Sequence, residues 1–494
     1  MNQKKLLNNV AYNVVYRVLI LIVPFITAPY ISRILRPEGL GLYSVTTAIA
    51  KYFWMFGLLG MANYGNRQIA AVRDDQAELS RTFSNLFYFQ LIVSSIMTLL
   101  FIAYVFLIGY SHYGIAIICQ IPYLFSAMFE ISWYFSGTEQ FRSMVIKNSI
   151  IKISTLVAVF ILVKKEEDVW IYVLINTLSL VAGQIALWPL MLRQVKFTKP
   201  EFKQITKHLR PNLILMISVV AVSIYVLMDK IMIEWLSGKA HVGYYENTEK
   251  ILNMTTSIVG AIGMVMLPRM TYMISNNEKD KAQTFLTKSM RYVMTFAIAI
   301  TFGIAGIAKE FSVIYFGDKF AICGTTIMIV SAAIALYSWE NTLKTQYLLP
   351  KKKDKVFVKG TVSAAICNLC LNLILIPKLG VIGAVIGTVG AQAAAAGYES
   401  FSVRKEIPIK KYFMDLVPEI CFGAIMFIIC RGIGILLGTK WHVLFIQIVV
   451  GSLVFMALTY VYYSRLNDEL LLKFKNKLVR RKEKIQYAVQ NLKR

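Results

Sequence analysis

A chain of 494 residues that is 57% hydrophobic and 16% charged, with a mean hydropathy of +0.58, lies outside the soluble globular classes and inside the polytopic α-helical membrane class. The net charge of +26 invites a nucleic-acid reading, but the cations concentrate in the connections between apolar runs. That placement excludes it and points to membrane topology and contact with anionic membrane lipids.

The predicted fold is all-α. Fourteen apolar runs, each near the ~20 residues that cross ~30 Å of hydrocarbon as helix, fall at 10–34, 40–63, 82–108, 114–136, 147–164, 169–192, 210–236, 242–267, 289–308, 322–348, 358–377, 380–402, 416–437 and 441–463. None alternates as a barrel strand does. If the N-terminus is cytoplasmic, 37 cations lie in inner segments, nine in outer ones and seven within spans. This asymmetry predicts a multi-pass protein of the cytoplasmic membrane with both termini inside.

Along the chain, Asn9, Asn13 and Arg17 share a face of the first span, which continues through Pro24 and Pro29 to a Pro/Gly turn at 35–43. The second span places Ser44, Thr47 and Lys51 on one stripe and ends in a polar loop from Asn66 to Arg81. The third is nearly featureless and faces lipid. The fourth aligns Tyr123, Ser126, Glu130 and Tyr134, and the fifth Asn148, Lys152 and Thr155. In the second half, the seventh span bears Asp229 beside Lys230 and Glu234. The eighth carries Glu246, Glu249, Lys250 and Asn253, and the tenth Glu340, Asn341 and Lys344. Cys367 and Cys370 read as small residues on one face of the eleventh, not as a redox or metal pair.

The halves repeat. Shifted by 202 residues, Gly41, Tyr43 and Arg67 fall on Gly243, Tyr245 and Arg269, and Lys51 is answered one turn away by Lys250. This predicts two pseudo-symmetric six-helix bundles, 1–208 and 209–410. Two appended helices follow at 411–463, and then a basic amphipathic tail at 464–494 suited to an anionic leaflet. In such repeats, substrate sites lie between the halves, which rock to alternate access.

The run from Leu35 to Tyr43, with Tyr64-Gly65-Asn66-Arg67, Arg73-Asp74-Asp75 and the turn from Phe135 to Phe141, resembles the polysaccharide-repeat-unit flippases of the multidrug/oligosaccharidyl-lipid/polysaccharide exporter superfamily. The resemblance covers essentially the whole chain. It implies a transporter, not an enzyme, that moves undecaprenyl-pyrophosphate-linked oligosaccharide between leaflets. It also implies a cationic cavity for the pyrophosphate, a groove by the late helices for the lipid tail, and polysaccharide polymerase machinery as a companion. No cofactor is expected, a coupling H⁺ or Na⁺ being left open.

The buried charges refine this expectation. Each intramembrane cation of the second half has an acid four residues away: Lys230 with Glu234, Lys250 with Glu246, Lys344 with Glu340. Arg17, Lys51 and Lys152 of the first half have none. A buried charge without a partner is costly, which predicts an external anion or an acid from the other bundle to complete it. The expected substrate-binding residues are therefore Arg17, Lys51, Lys250, Asn13, Asn253 and Lys152. Lys152 and Lys344 lie near span ends, where a long side chain can also snorkel. Asp229, Glu249, Glu130 and Glu246 are candidates for gating or ion coupling, with Asp229 or Glu249 bridging to Arg17 or Lys51 in an empty cavity. Arg431, without a helical partner, is assigned to the lipid groove. Competing readings are a cation-coupled multidrug antiporter, disfavoured by cavity cations, and a membrane polysaccharide polymerase or ligase, disfavoured by short outer connections.

Overall fold

The computed structural model describes the backbone of residues 3–200 and 202–465, and side chains from 22 to 465 apart from 141, 201–203, 214–215 and 217–226. The tail expected at 464–494 lies almost wholly outside these described residues, as do the side chains of Arg17 and Asn13.

The described spans are helical, as hydrocarbon requires: with no water to bond, each backbone N–H and C=O must find its partner within the segment. The long helices are α1 (Gln3–Leu58), α2 (Met61–Val72), α3 (Gln76–Tyr104), α4 (Ile121–Met128), α5 (Phe141–Leu162), α6 (Val169–Ile185), α7 (Leu209–Ser237), α8 (Lys239–Ser275), α9 (Lys279–Phe316), α10 (Ile322–Leu343), α11 (Asp354–Leu379), α12 (Val381–Val403), α13 (Val417–Leu437) and α14 (Trp441–Arg465). Among the described residues, 12 stretches are long and apolar enough to cross a membrane. One of them, Ile22–Val72, takes in both the first and second expected spans. The seventh expected span is α7, whose side chains 214–215 and 217–226 lie outside the described residues.

The α1 helix is broken where the sequence places its Pro/Gly turn. Arg36 adopts φ 57°, ψ 179°, a region that is essentially glycine-only, and Pro37 follows at the first position of the resumed helix, where its missing N–H costs nothing. A break in the same region of backbone space recurs 202 residues on, at Gly238, with φ 90° and ψ 169°. Gly114 and Gly317, at φ 61° and 101°, turn α3 and α9 back in the same way. These turns, with Gly380 and Gly438, gather at one end of the molecule, here called the glycine-turn end. At the other end, Asp75 starts α3 by accepting from the N–H of Ala77 and Glu78 at 2.9 and 3.0 Å.

Packing follows the repeat. One apolar cluster built on Phe83, Trp133, Tyr134 and Met191 belongs to the first bundle. Another joins Met290, Leu343 and Tyr347 of the second bundle to Met426, Cys430 and Phe455, so the appended α13 and α14 dock on that bundle. Two clusters cross between bundles, one containing Leu40 and Ile251, the other Val45 and Val242. As expected, α3 shows lipid one face, with Ile96 and Leu99 exposed, but its other face buries Gln90, Ser94 and Thr98. Gln90 donates to the carbonyls of Ala127 and Glu130 at 2.7 and 2.8 Å, tying α3 to the end of α4.

Candidate functional site

The bundles meet along α1 and α8. At the glycine-turn end the contact is reciprocal: a Cβ on Gly41 would lie 1.8 Å from the Lys239 carbonyl oxygen, and one on Gly243 would lie 2.0 Å from that of Pro37. Only glycines allow the two backbones this close. Around them, Asn247 donates to Ser32 at 2.8 Å and Arg33 to the Ile314 carbonyl at 2.6 Å. Lys239 reaches the His112 carbonyl at 3.0 Å. This end is closed.

Just inside it, a charged cluster spans the interface. Glu246 of α8 accepts from Ser44 of α1 at 2.5 Å, a residue 202 positions earlier and therefore its counterpart in the first repeat. Glu246 also pairs with Lys230 of α7 at 2.7 Å and Lys250 at 3.4 Å, and Lys230 pairs with Glu249 at 2.9 Å. Lys51, two turns beyond Ser44, is exposed and has no ion pair or hydrogen bond among the described residues. Lys230, Glu249 and Glu246 are the charged groups that act on it. Asn253, on the same side of α8, is also exposed. Three lysines thus face two glutamates, leaving one positive charge, with Lys51 the exposed member of the group.

Several expected pairings are different in the fold. Lys230 does not pair with Glu234. The α8 helix brings two carboxylates to its ammonium, and Glu234 instead takes His112 at 2.7 Å and the Tyr113 hydroxyl at 3.4 Å. Lys344 makes no ion pair with Glu340 and lies 4.3 Å over the Phe357 ring, because the helix opens into a wider turn over Lys344–Leu348. Only the Lys250–Glu246 pair follows the i, i+4 rule.

Neither acid proposed to bridge to Lys51 does so. Asp229 is buried within the second bundle, accepting from Tyr245 at 2.6 Å and Asn372 at 2.7 Å; Glu249 is held by Lys230. Glu130 also stays in its own bundle, accepting from the Ser132 N–H at 2.8 Å and from the Ser132 hydroxyl. Lys152 is exposed on α5, with no ion pair among the described residues and no charged group acting on it. It stands apart from the cluster.

Arg431 is not unpartnered. Its guanidinium nitrogen Nη1 meets both oxygens of Glu310, at 2.9 and 2.7 Å, and Gln447 adds a bond to Glu310 at 3.3 Å. The partner comes from α9, which helical spacing within α13 cannot reveal. An apolar cavity of 820 Å³ lies beside this pair between α9, α13 and α14, lined by residues including Phe296, Ile300, Met426, Gln447 and Phe455 but not Arg431. Sequence reasoning also missed Lys230 as the centre of the cluster. Its signal was Glu246 and Glu249 at i, i+3 on one face of the next helix.

A family model described as polysaccharide biosynthesis protein matches residues 6–274. A putative O-antigen transporter of Shigella dysenteriae is 23% identical over 373 residues, covering 74% of this chain and 91% of that protein. One of Escherichia coli K12 is 25% identical over 394 residues, covering 78% and 93%. A probable low-salt glycan biosynthesis flippase of Haloferax volcanii is 25% identical over 291 residues, covering 58% and 61%. Among solved structures, a lipid II flippase MurJ in an inward closed conformation aligns with a TM-score of 0.76 at 16% identity, over 94% of this chain and all of that one. An inward-facing multidrug resistance MATE family transporter aligns with a TM-score of 0.59 at 14% identity, over 79% and 99%. These two likenesses establish the fold.

Proposed function

Since the chain belongs to the polysaccharide biosynthesis protein family, we propose that it carries a lipid-linked oligosaccharide across the cytoplasmic membrane, holding the diphosphate of an undecaprenyl-pyrophosphate carrier between its two bundles. The observation that carries this reading is Lys51: a cation on a membrane-spanning helix, without an acid at ion-pair distance among the described residues, beside two lysines already held by Glu246 and Glu249. A site with this balance attracts an anion, and lysine meets phosphate as a point charge. The putative O-antigen transporters and the glycan flippase among its relatives agree with such a cargo. An organic-cation cargo would call for the opposite balance.

The closed glycine-turn end suits alternating access. By the positive-inside rule this end faces outward, so the site opens first to the cytoplasmic leaflet, where such lipids are assembled. Separation of Gly41 from Lys239, and of Gly243 from Pro37, then releases the cargo to the other leaflet. Asp229, with Tyr245 and Asn372, stands outside the phosphate cluster and suits ion coupling rather than a gate across the interface.

Lys51→Ala tests the reading. Surface polysaccharide, followed by immunoblot in a strain depending on this protein, is expected to be lost while the protein's level in the membrane stays that of wild type. Lys51→Arg is expected to restore part of the polymer. Normal polymer from a stable Lys51→Ala protein would remove Lys51 from the site.

A further inference from the structure

The connection between α12 and α13 carries Arg404, Lys405, Lys410 and Lys411 within eight residues. The acids of the same stretch are committed elsewhere. Glu406 accepts from Tyr347 at 2.6 Å and pairs with Lys353, and Asp415 pairs with Arg291 at 3.6 Å. Lys353 and Tyr347 hold the Glu406 carboxyl below its usual range, so it stays an anion engaged by those two groups. Arg404 packs its guanidinium 3.3 Å over the Phe401 ring and donates to the Phe401 carbonyl at 2.9 Å. Lys405, Lys410 and Lys411 are exposed and make no ion pair among the described residues.

These four cations line a cavity of 880 Å³ that shares Ser400, Ile409 and Lys410 with a second cavity of 690 Å³. The second runs between α9, α10, α12 and α13, and its wall is apolar: Met294, Ile298, Phe302, Leu336, Ala396 and Gly397. Phe401, Phe413 and Met414 are exposed around the junction. A basic chamber at the end of the spans thus leads into an apolar one among them.

The geometry points to a bound anionic phospholipid, with its phosphate among Arg404, Lys405, Lys410 and Lys411 and an acyl chain in the apolar chamber. Charge complementarity selects the headgroup, since four cations without an acid favour an anionic phosphodiester over a zwitterionic one. The chamber selects a lipid over free phosphate, because a bare anion leaves the apolar wall unfilled. The site is separate from the Lys51 cluster and from the groove beside Glu310, and it does not depend on the transported cargo.

The test uses the full chain purified in neutral detergent, titrated with phosphatidylglycerol and with phosphatidylcholine of the same acyl chains, and read by native mass spectrometry. Phosphatidylglycerol is expected to be retained preferentially. Lys405→Gln/Lys410→Gln/Lys411→Gln is expected to weaken it by about tenfold or more, with phosphatidylcholine unchanged. The basic stretch from Arg465 onward is common to both proteins and cancels. A Cβ on Gly397 meets nothing within 4 Å, so Gly397→Phe has space to fold while filling the apolar chamber, and should weaken the lipid but not glycerol phosphate. Wild-type retention of phosphatidylglycerol in either variant overturns the proposal. So does its displacement by inorganic phosphate at the lipid's concentration, which would mark a free-phosphate site. If the triple variant does not fold, Lys410→Gln alone, at the junction of the chambers, decides by the same reading.

Discussion

At the scale of single residues, the turn between the first two spans holds two opposed effects. Arg36 occupies a backbone region that costs a non-glycine residue ~1–3 kcal/mol. Its ion pair with Glu166, at 2.7 Å between half-exposed side chains, returns only ~0–1 kcal/mol. Backbone relief wins. Arg36→Gly is therefore expected to raise the thermal unfolding midpoint in detergent. Gly41 and Gly243 are the reverse case. Alanine at either position drives a Cβ into a backbone carbonyl, an overpacking expected to cost ~1–3 kcal/mol. Each substitution should lower the midpoint, and the double variant should lose less than the sum, because both part the same contact. The 202-residue repeat marks these glycines in the sequence, but only the approach of two distant turns shows why glycine is needed.

At the scale of elements, two charge networks tie helices together. Arg431 and Glu310 join α13 to α9 with little exposure of either side chain. Removing one partner leaves a buried charge and costs ~3–5 kcal/mol, whereas an apolar pair of similar volume is often neutral. Arg431→Met should accordingly lower the unfolding midpoint sharply, and Arg431→Met/Glu310→Leu should recover most of it. In the interface cluster, Glu246 joins α7, α8 and α1 at once through Lys230, Lys250 and Ser44. Its removal strips Lys250 of its ion pair while Lys230 keeps Glu249. Polymer export should fall further in Glu246→Ala than in Lys250→Ala, and Glu246→Ala/Lys250→Ala should move back toward wild type. Equal and additive losses would instead place Lys250 directly on the cargo. Helical spacing anticipated Lys250 with Glu246 and failed for Lys230 and Lys344, since a residue on a packed helix chooses among neighbours on every adjacent helix.

For the whole molecule, Ser32, Arg33, Gly41 and Gly243 join the bundles at the glycine-turn end, while Lys51 and Asn253 are exposed. The expected consequence is one-sided access. Asn253→Cys, in a background lacking Cys367, Cys370 and Cys421, should react with a membrane-impermeant maleimide in inside-out vesicles and far less in intact cells. The opposite pattern would reverse the orientation inferred from the cation distribution.

The membrane class, the duplication and the lack of a nearby acid on their own helices for Lys51 and Lys152 were legible in the sequence, because hydropathy, spacing and the local supply of acids are properties of short stretches. The break at 36, its echo at 238 and the apolar character of α3 belong to the same local information. Tertiary structure alone decided that Glu246 meets Ser44, that Lys230 abandons Glu234 for α8, that Arg431 is held by Glu310, and that Asp229 turns inward to Tyr245 and Asn372. An ion pair forms within about 4 Å, a distance set by the rotation of each helix against its neighbours. That rotation depends on packing summed over residues hundreds of positions apart, which no local pattern carries.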